Sequence, residues 1–368
     1  MNQCPFANLL NPDTYAQGMP YTRLKEIRDA GPVVKIEDPI SGTPYWAVTR
    51  IAEMDEVSKN PALFYSAERS AFPMEYGDDI VEMQRLTIIN MDPPQHQKAR
   101  RIVRNAFTPK RVESYAARFR EHARLIVDAV ADRGECEFVE EVAAELPLIA
   151  ILELLGVPLD DRKQFFDWTN TMIFADDPDM ATSMEEGQLA AMEVITYALD
   201  IAAKHRQSPM DNITAALLDA ELGGEPITEE MFGWMFILIL VGGNESTRTV
   251  IAQGMRLLME HPAQLQYLID NPEKLAMPAK KYCATTPRLS ACDAQPWQTQ
   301  SWADSTSRRE TRLSSTITPP ITMSTSSVRT PWRSTSRALN VCQIFIVSFA
   351  PSELANIFVL APTWRDSS

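Results

Sequence analysis

The chain has 368 residues, 45% of them apolar and 23% charged, a balance that excludes disorder or a coiled coil as a reading of the whole. Forty-nine acidic against 35 basic residues give a formal net charge of -14, without the basic footprint that neutralising phosphates requires, so nucleic acid is not an expected ligand. The length suits one large helical unit or two domains.

In chain order, the first elements are short strands. Val33 to Ile36 and Tyr45 to Val48 flank the turn-like Pro39 to Pro44 and predict a hairpin or ribbon near the N-terminus, the one region where strands are expected. Met91, Asp92, Pro93, Pro94, Gln95, His96 then opens a helix running to Arg104. Asp92 is placed to cap its free amides, and a proline is tolerated in the first turn. His96 and Arg100 are four apart on one face and suit one anionic group, with Arg101 and Arg104 adding positive charge; the other reading is a solvated basic face.

Apolar spacings of three and four predict helices over Val112 to Ala131, Glu140 to Leu155, Glu185 to Lys204 and Met210 to Leu222. Between them, Asp176, Asp177, Pro178, Asp179 is similar to the aspartate pairs that hold Mg²⁺ and diphosphate in helical prenyl-transferring enzymes. Pro178 breaks any carboxylate face, and the other reading is a solvated loop.

Thr228, Glu229 and Glu230 suit the start of a helix of ~30 residues that crosses the core through the uncharged run Phe232 to Val241. That ten-residue run is too short for a bilayer, which takes ~20, so no membrane span is expected. The helix then changes character at Gly242, Gly243, Asn244, Glu245, Ser246, Thr247 and Arg248. Each glycine costs ~1 kcal/mol relative to alanine, and an acid with two hydroxyls sits beside apolar wall. This points to close approach of a flat ligand with polar work beside it; the other reading is a kink or a break between two helices. With only His96, His122, His205 and His261 in the chain, no multi-histidine metal site is expected.

The composition breaks near Ala279. Residues 280–368 hold 27 Ser or Thr against 22 in the first 279, carry no glycine and no histidine, and are net +5 where the body is -19. A Ser/Thr-rich tail of this kind is expected to be poorly ordered, although it contains four of the seven tryptophans. The five cysteines (Cys4, Cys136, Cys283, Cys292, Cys342) are scattered without CxxC spacing, and no N-terminal signal segment is evident, so the expected compartment is the cytoplasm.

The run DPPQHQKARRIVRNAFTPKRV from Asp92 and the run VGGNESTRTV from Val241 resemble the C-helix and I-helix signatures of bacterial cytochrome P450 monooxygenases, and the resemblance covers about residues 5–279. It implies a mainly α fold with a small β portion, over a domain 1–279 that is incomplete at its C-terminus. It implies a haem cofactor, with His96 and Arg100 on its propionates and Gly242 and Gly243 forming the groove over it. Glu245 and Ser246 match the acid and alcohol that relay protons during oxygen activation. Serine stands where the family more often has threonine, keeping the hydroxyl but losing the methyl that restrains its rotamer. A ferredoxin and its NAD(P)H-dependent reductase are the implied partners. The implied substrate is a hydrophobic small molecule, in the steroid or lipid side-chain class by local likeness over Asp167 to Asp179 and GGNES. Apolar residues of Phe72 to Ile89 and Met172 to Phe174 are its expected lining.

The family's haem-binding loop FxxGxxxCxG and its ExxR pair do not occur in residues 280–368, so the chain as written is expected to be inactive. Joining the third codon base of each residue to the first two of the next permits both to return. From Ala279 the shifted frame permits EEILRY, and over Ser352 to Arg365 it permits FGIGQHFCVGANLA; the codon spanning Phe358 and Val359 must encode cysteine or arginine. A frameshift at Ala279 to Lys280, equivalent to one lost base, accounts for the aberrant tail 280–368. Two rival classes stand beside this reading: a non-enzymatic apolar-ligand binder or pseudoenzyme, and an Mg²⁺ enzyme using Asp176 and Asp177.

Overall fold

The computed structural model describes residues 20–37, 44–68, 77–133, 136–175, 183–209, 211–271, 299–302 and 312–314. In chain order the elements begin with α1 (Tyr21–Ala30), β1 (Val33–Glu37), β2 (Pro44–Val48), α2 (Ile51–Lys59), β3 (Phe64–Tyr65), α3 (Asp78–Gln84), α4 (Gln95–Ala106) and α5 (Pro109–Ala131). A π-helical turn (Val139–Ala143) leads into α6 (Glu145–Leu155), then α7 (Arg162–Ile173), α8 (Met184–Gln207) and α9 (Ile213–Leu218). The ribbon β4 (Glu221–Leu222) and β5 (Glu225–Pro226) precedes α10 (Glu229–Glu260) and α11 (Pro262–Asp270), with β6 (Thr299–Trp302) and β7 (Arg312–Ser314) last. The mainly helical architecture with a small β portion is the expected class.

The described residues form two compact units, divided at Arg100 inside α4, with β6 and β7 belonging to the first. In that unit β1 and β2 make the predicted antiparallel hairpin, Val33 facing Val48 and Ile36 facing Tyr45. They enter a five-stranded sheet of order β1-β2-β7-β6-β3, with β2 and β7 parallel. Strands were expected near the N-terminus alone, so β4 to β7 correct that expectation. Of the tail from Lys280 the two strands are the described part; the expectation of poor order for the remainder lies outside the described residues.

The second unit is built of helices with explicit starts. Thr108 accepts the Arg111 amide at 3.3 Å with Pro109 following, and Thr228 accepts the Met231 amide at 3.1 Å. At α8 a reciprocal capping box joins Ser183 and Glu186. α10 packs against α6 and α8, and α7 against α8. α6 is buried on nearly all sides from Leu146 to Leu155, and its carboxylates find partners at either end. Glu145 meets Arg162 at 3.2 Å, and Glu153 meets His122 at 3.1 Å and Arg118 at 3.5 Å on α5. Phe119, Phe165, Phe232 and Phe236 are fully buried, each a side chain whose removal from water stabilises by ~2 kcal/mol.

The helix expected over Met210 to Leu222 is cut to six residues. Gly223 and Gly224 take φ of 74° and 97°, the left-handed pair that a two-residue hairpin turn requires, and they fold β5 back on β4. At the end of α6, Gly156 sits at φ 77°, and a Cβ there would lie 2.0 Å from Asn212 Nδ2. Asn212 cannot give way easily, because its Oδ1 caps α9 by accepting the Ala215 amide at 2.8 Å. Gly156→Ala is therefore expected to destabilise the unit by ~2 kcal/mol, read as a lowered denaturation midpoint.

Candidate functional site

Each expected constellation is built on one helix. α4 buries Ala99, Ile102, Val103 and Ala106 and leaves Arg101 and Arg104 exposed, so those two form the solvated basic face. His96 and Arg100 are partly buried one turn apart. Burial first, and the Arg100 cation second, hold the imidazole below its ordinary pKa, with Asp92 acting the other way. The imidazole is thus kept neutral, offering an N–H, while Arg100 carries the charge: a pairing suited to a carboxylate. Because the folded pKa is depressed, the unfolded chain binds the proton first, and His96 weakens folding as pH falls through the ordinary histidine range.

Asp92 departs from expectation. α4 starts at Gln95, after a turn at Pro93 and Pro94, and the Asp92 side chain is turned to other partners. Its carboxylate instead accepts the Ser66 and Ala67 amides after β3, at 2.8 and 2.9 Å, and its backbone carbonyl takes the His96 amide at 3.0 Å.

The second constellation lies in the middle of α10, which runs unbroken over 32 residues; the reading of a break between two helices is set aside. Two consecutive hydroxyls bond back to the glycine pair, Ser246 Oγ to the Gly242 carbonyl at 2.8 Å and Thr247 Oγ1 to the Gly243 carbonyl at 3.0 Å. Gly243 is buried. A Cβ on Gly242 would meet nothing within 4 Å, so at that residue the helix borders open space and not neighbouring side chains. A flat group can approach the backbone there, which is the fit a haem requires.

Gly233, two and a half turns earlier, makes the contrast. A Cβ there would lie 2.8 Å from Ile195 Cγ2 on α8, a stiff β-branched group. Gly242→Ala is expected to raise stability by ~1 kcal/mol through helix propensity, and Gly233→Ala to lower it by ~2 kcal/mol through overpacking. Urea unfolding of both variants checks the opposite signs.

Glu245 is largely buried, and its carboxyl is pushed up to about 6 by that burial, the Arg248 cation acting against the rise. Arg248 Nη2 lies 2.5 Å from Glu245 Oε2, and Asn244 Nδ2 donates to Oε1 at 3.3 Å. Arg248 also donates from Nη1 to Asn170 Oδ1 at 3.1 Å on α7, and its guanidinium lies 5.7 Å from the centre of the Phe174 ring. Neither Arg248 nor Asn170 carried an expected role. The Glu245 to Arg248 spacing of three was the available signal for the ion pair; nothing local marked Asn170.

Asp176, Asp177 and Asp179 lie outside the described residues, as do Phe72 to Tyr76; Met172, Ile173 and Phe174 are partly buried at the end of α7. Among the described residues no His, Cys, Asp or Glu cluster suits a metal ion, and no helix is long and apolar enough to cross a membrane. Cys136 is the described cysteine; burial pushes its thiol up, away from thiolate character. The described residues therefore fit the face of a haem and not its axial ligand.

No family model matches the chain. A steroid C26-monooxygenase of Rhodococcus jostii is 38% identical over 276 residues, which are 72% of this chain and 58% of that protein. A methyl-branched lipid omega-hydroxylase of Mycobacterium tuberculosis is 32% identical over 239 residues, 63% of this chain and 55% of that protein. The chain thus spans less than two thirds of the length of these curated relatives. Among solved structures, Mycobacterium marinum cytochrome P450 CYP268A2, in complex with pseudoionone, superposes with a TM-score of 0.63 at 27% identity, covering 69% of this chain and 64% of that one. Sequence likeness to a monooxygenase covers 72% of the chain and backbone likeness to a solved cytochrome P450 covers 69%, and on that footing the chain belongs to the cytochrome P450 family.

Proposed function

We propose that the gene encodes a soluble haem-dependent monooxygenase that inserts one oxygen atom from O2 into a hydrophobic substrate, a steroid or lipid side chain. The observation that carries this reading is the buried Glu245 beside Ser246, one turn from the open face of Gly242, in a chain similar to a steroid C26-monooxygenase. Held with a thiolate on its iron, a haem supplies the electron push that favours O–O cleavage.

The chain's own residues would do the rest. His96 and Arg100 would bind the propionates, the imidazole by its N–H and the guanidinium by its charge. Gly242 and Gly243 would let the macrocycle lie against the helix backbone. A carboxyl with a pKa near 6 gives up and regains a proton readily at neutral pH. Ser246 Oγ, with its proton directed at the Gly242 carbonyl, keeps its lone pairs to accept the next one. Residues 172–174 at the end of α7 would line the substrate space, and a ferredoxin with its NAD(P)H-dependent reductase would deliver the electrons.

The written chain is proposed to be inactive, because residues 280–368 as written lack the thiolate loop and the ExxR pair, which the shifted frame permits. The frame-repaired protein, supplied with redox partners and a steroid bearing an aliphatic side chain, should place one atom of isotopically labelled dioxygen in the product. Label arriving from water, or no oxygenated product from any apolar substrate, would count against the reading.

A further inference from the structure

Glu245 is held on both oxygens from its own helix, by Arg248 and by Asn244. Arg248 is held from a second helix. Asn170 in the last turn of α7 accepts its Nη1 proton, and Phe174, the residue that closes α7, lies against its guanidinium. The Phe174 amide donates to the Asn170 carbonyl at 2.9 Å, so the two arginine contacts belong to one hydrogen-bonded turn. The guanidinium is mostly buried, and its planar fork serves two partners in different directions, which a lysine ammonium on a flexible stem does not reproduce.

We propose that Arg248 is a positioning residue that ties the Glu245 carboxylate to the last turn of α7. Phe174 belongs to the expected substrate lining, so a ligand displacing that ring would loosen the arginine and, through it, the carboxylate. Arg248 is the charged group acting on Glu245 among the described residues; Asn170 and Asn244 are neutral amides. Withdrawing the guanidinium leaves a buried carboxylate without its counter-charge, which favours the neutral acid and draws a proton in from solvent. Substrate arrival at one helix would thereby load the proton carrier on the other. This inference rests on Glu245 as the proton carrier of the proposed monooxygenase.

The test needs neither cofactor nor turnover. In the chain as written, the Glu245 carboxyl carbon is followed by NMR through a pH titration, its signal identified by its loss in Glu245→Gln. Arg248→Gln should raise the midpoint from about 6 to above ~7. Asn170→Ala and Phe174→Ala, which leave the arginine in place, should raise it by a smaller amount in the same direction. Arg248→Lys, which keeps the charge and loses the fork, should fall between parent and Arg248→Gln, and it stands in if the glutamine variant does not fold. A midpoint unmoved by Asn170→Ala and Phe174→Ala overturns the coupling to α7, and one unmoved by loss of the guanidinium overturns the role of Arg248. Failure of Glu245 as the proton carrier is a separate result, seen as unchanged turnover when Glu245→Gln is placed in the repaired enzyme, and failure of the monooxygenase reading is seen as no oxygenated product from the repaired parent.

Discussion

Restoring one base at the junction of Ala279 and Lys280 is expected to turn a chain that takes up no haem into one that binds it near-stoichiometrically. The measurement is the absorbance of the purified protein reduced under carbon monoxide, where thiolate ligation shifts the Soret band to the red. The expectation follows from what each part contains. The described body supplies an open helix face at Gly242 and a neutral-imidazole and cation pair at His96 and Arg100. Residues 280–368 have no glycine, and the loop that presents the thiolate depends on glycine for its turns. The codon across Phe358 and Val359, which must encode cysteine or arginine, falls seven residues into a permitted FGIGQHFCVGANLA, and read as cysteine it supplies both at once. Source DNA that confirms the written frame, together with a repaired protein that still excludes haem, would sink the idea.

The second large effect is on proton delivery. In the repaired enzyme, Glu245→Gln and Ser246→Ala are each expected to lower turnover by ~100-fold, the usual contribution of a placed proton carrier. The parent should show a limb that declines as pH rises through about 6, the carboxyl's displaced value, and Glu245→Gln should lack it. The sign for stability is the same. A carboxyl whose folded pKa is raised binds its proton more tightly when folded, so it favours folding below its ordinary pKa and loses that contribution as pH rises through about 6. Ser246→Thr should preserve turnover, since the hydroxyl is kept. A repaired Ser246→Ala enzyme with parental turnover would remove the alcohol from the relay.

Most of the fold was legible because the second unit is written in strong helical periods with chemical punctuation. Thr228 and the pair Glu229 and Glu230 marked the start of α10, and Ser183 with Glu186 starts α8 by a box of the ordinary kind. The misreadings have local causes. α9 stops at Leu218, and the positive-φ Gly223 and Gly224 turn Glu221 and Leu222 into a strand of a ribbon, which a period count does not register. Asp92 had the right residue type for a cap, but its carboxylate is taken by the Ser66 and Ala67 amides, 26 and 25 positions away in sequence. In the site, Gly242 to Ser246 stood out because glycines and polar groups are costly mid-helix. Asn170 did not, since its partner lies 78 residues away and nothing nearby announces the contact.

α6 raises a question of rotation. A helix with buried apolar groups from Leu146 to Leu155 on nearly every side is close to a greased cylinder, and rolling it about its axis exchanges one hydrocarbon contact for another at small cost. Glu145 and Glu153 remove that freedom. Each meets an arginine, Arg162 near one end and Arg118 near the other, where His122 also lies within hydrogen-bond reach, and any roll would strand two carboxylates in hydrocarbon. The pair acts as two keyways on a shaft, fixing its angle and its axial position together. α10 rests on that shaft, so the direction in which Gly242 faces is indexed by two ion pairs that touch neither ligand nor site.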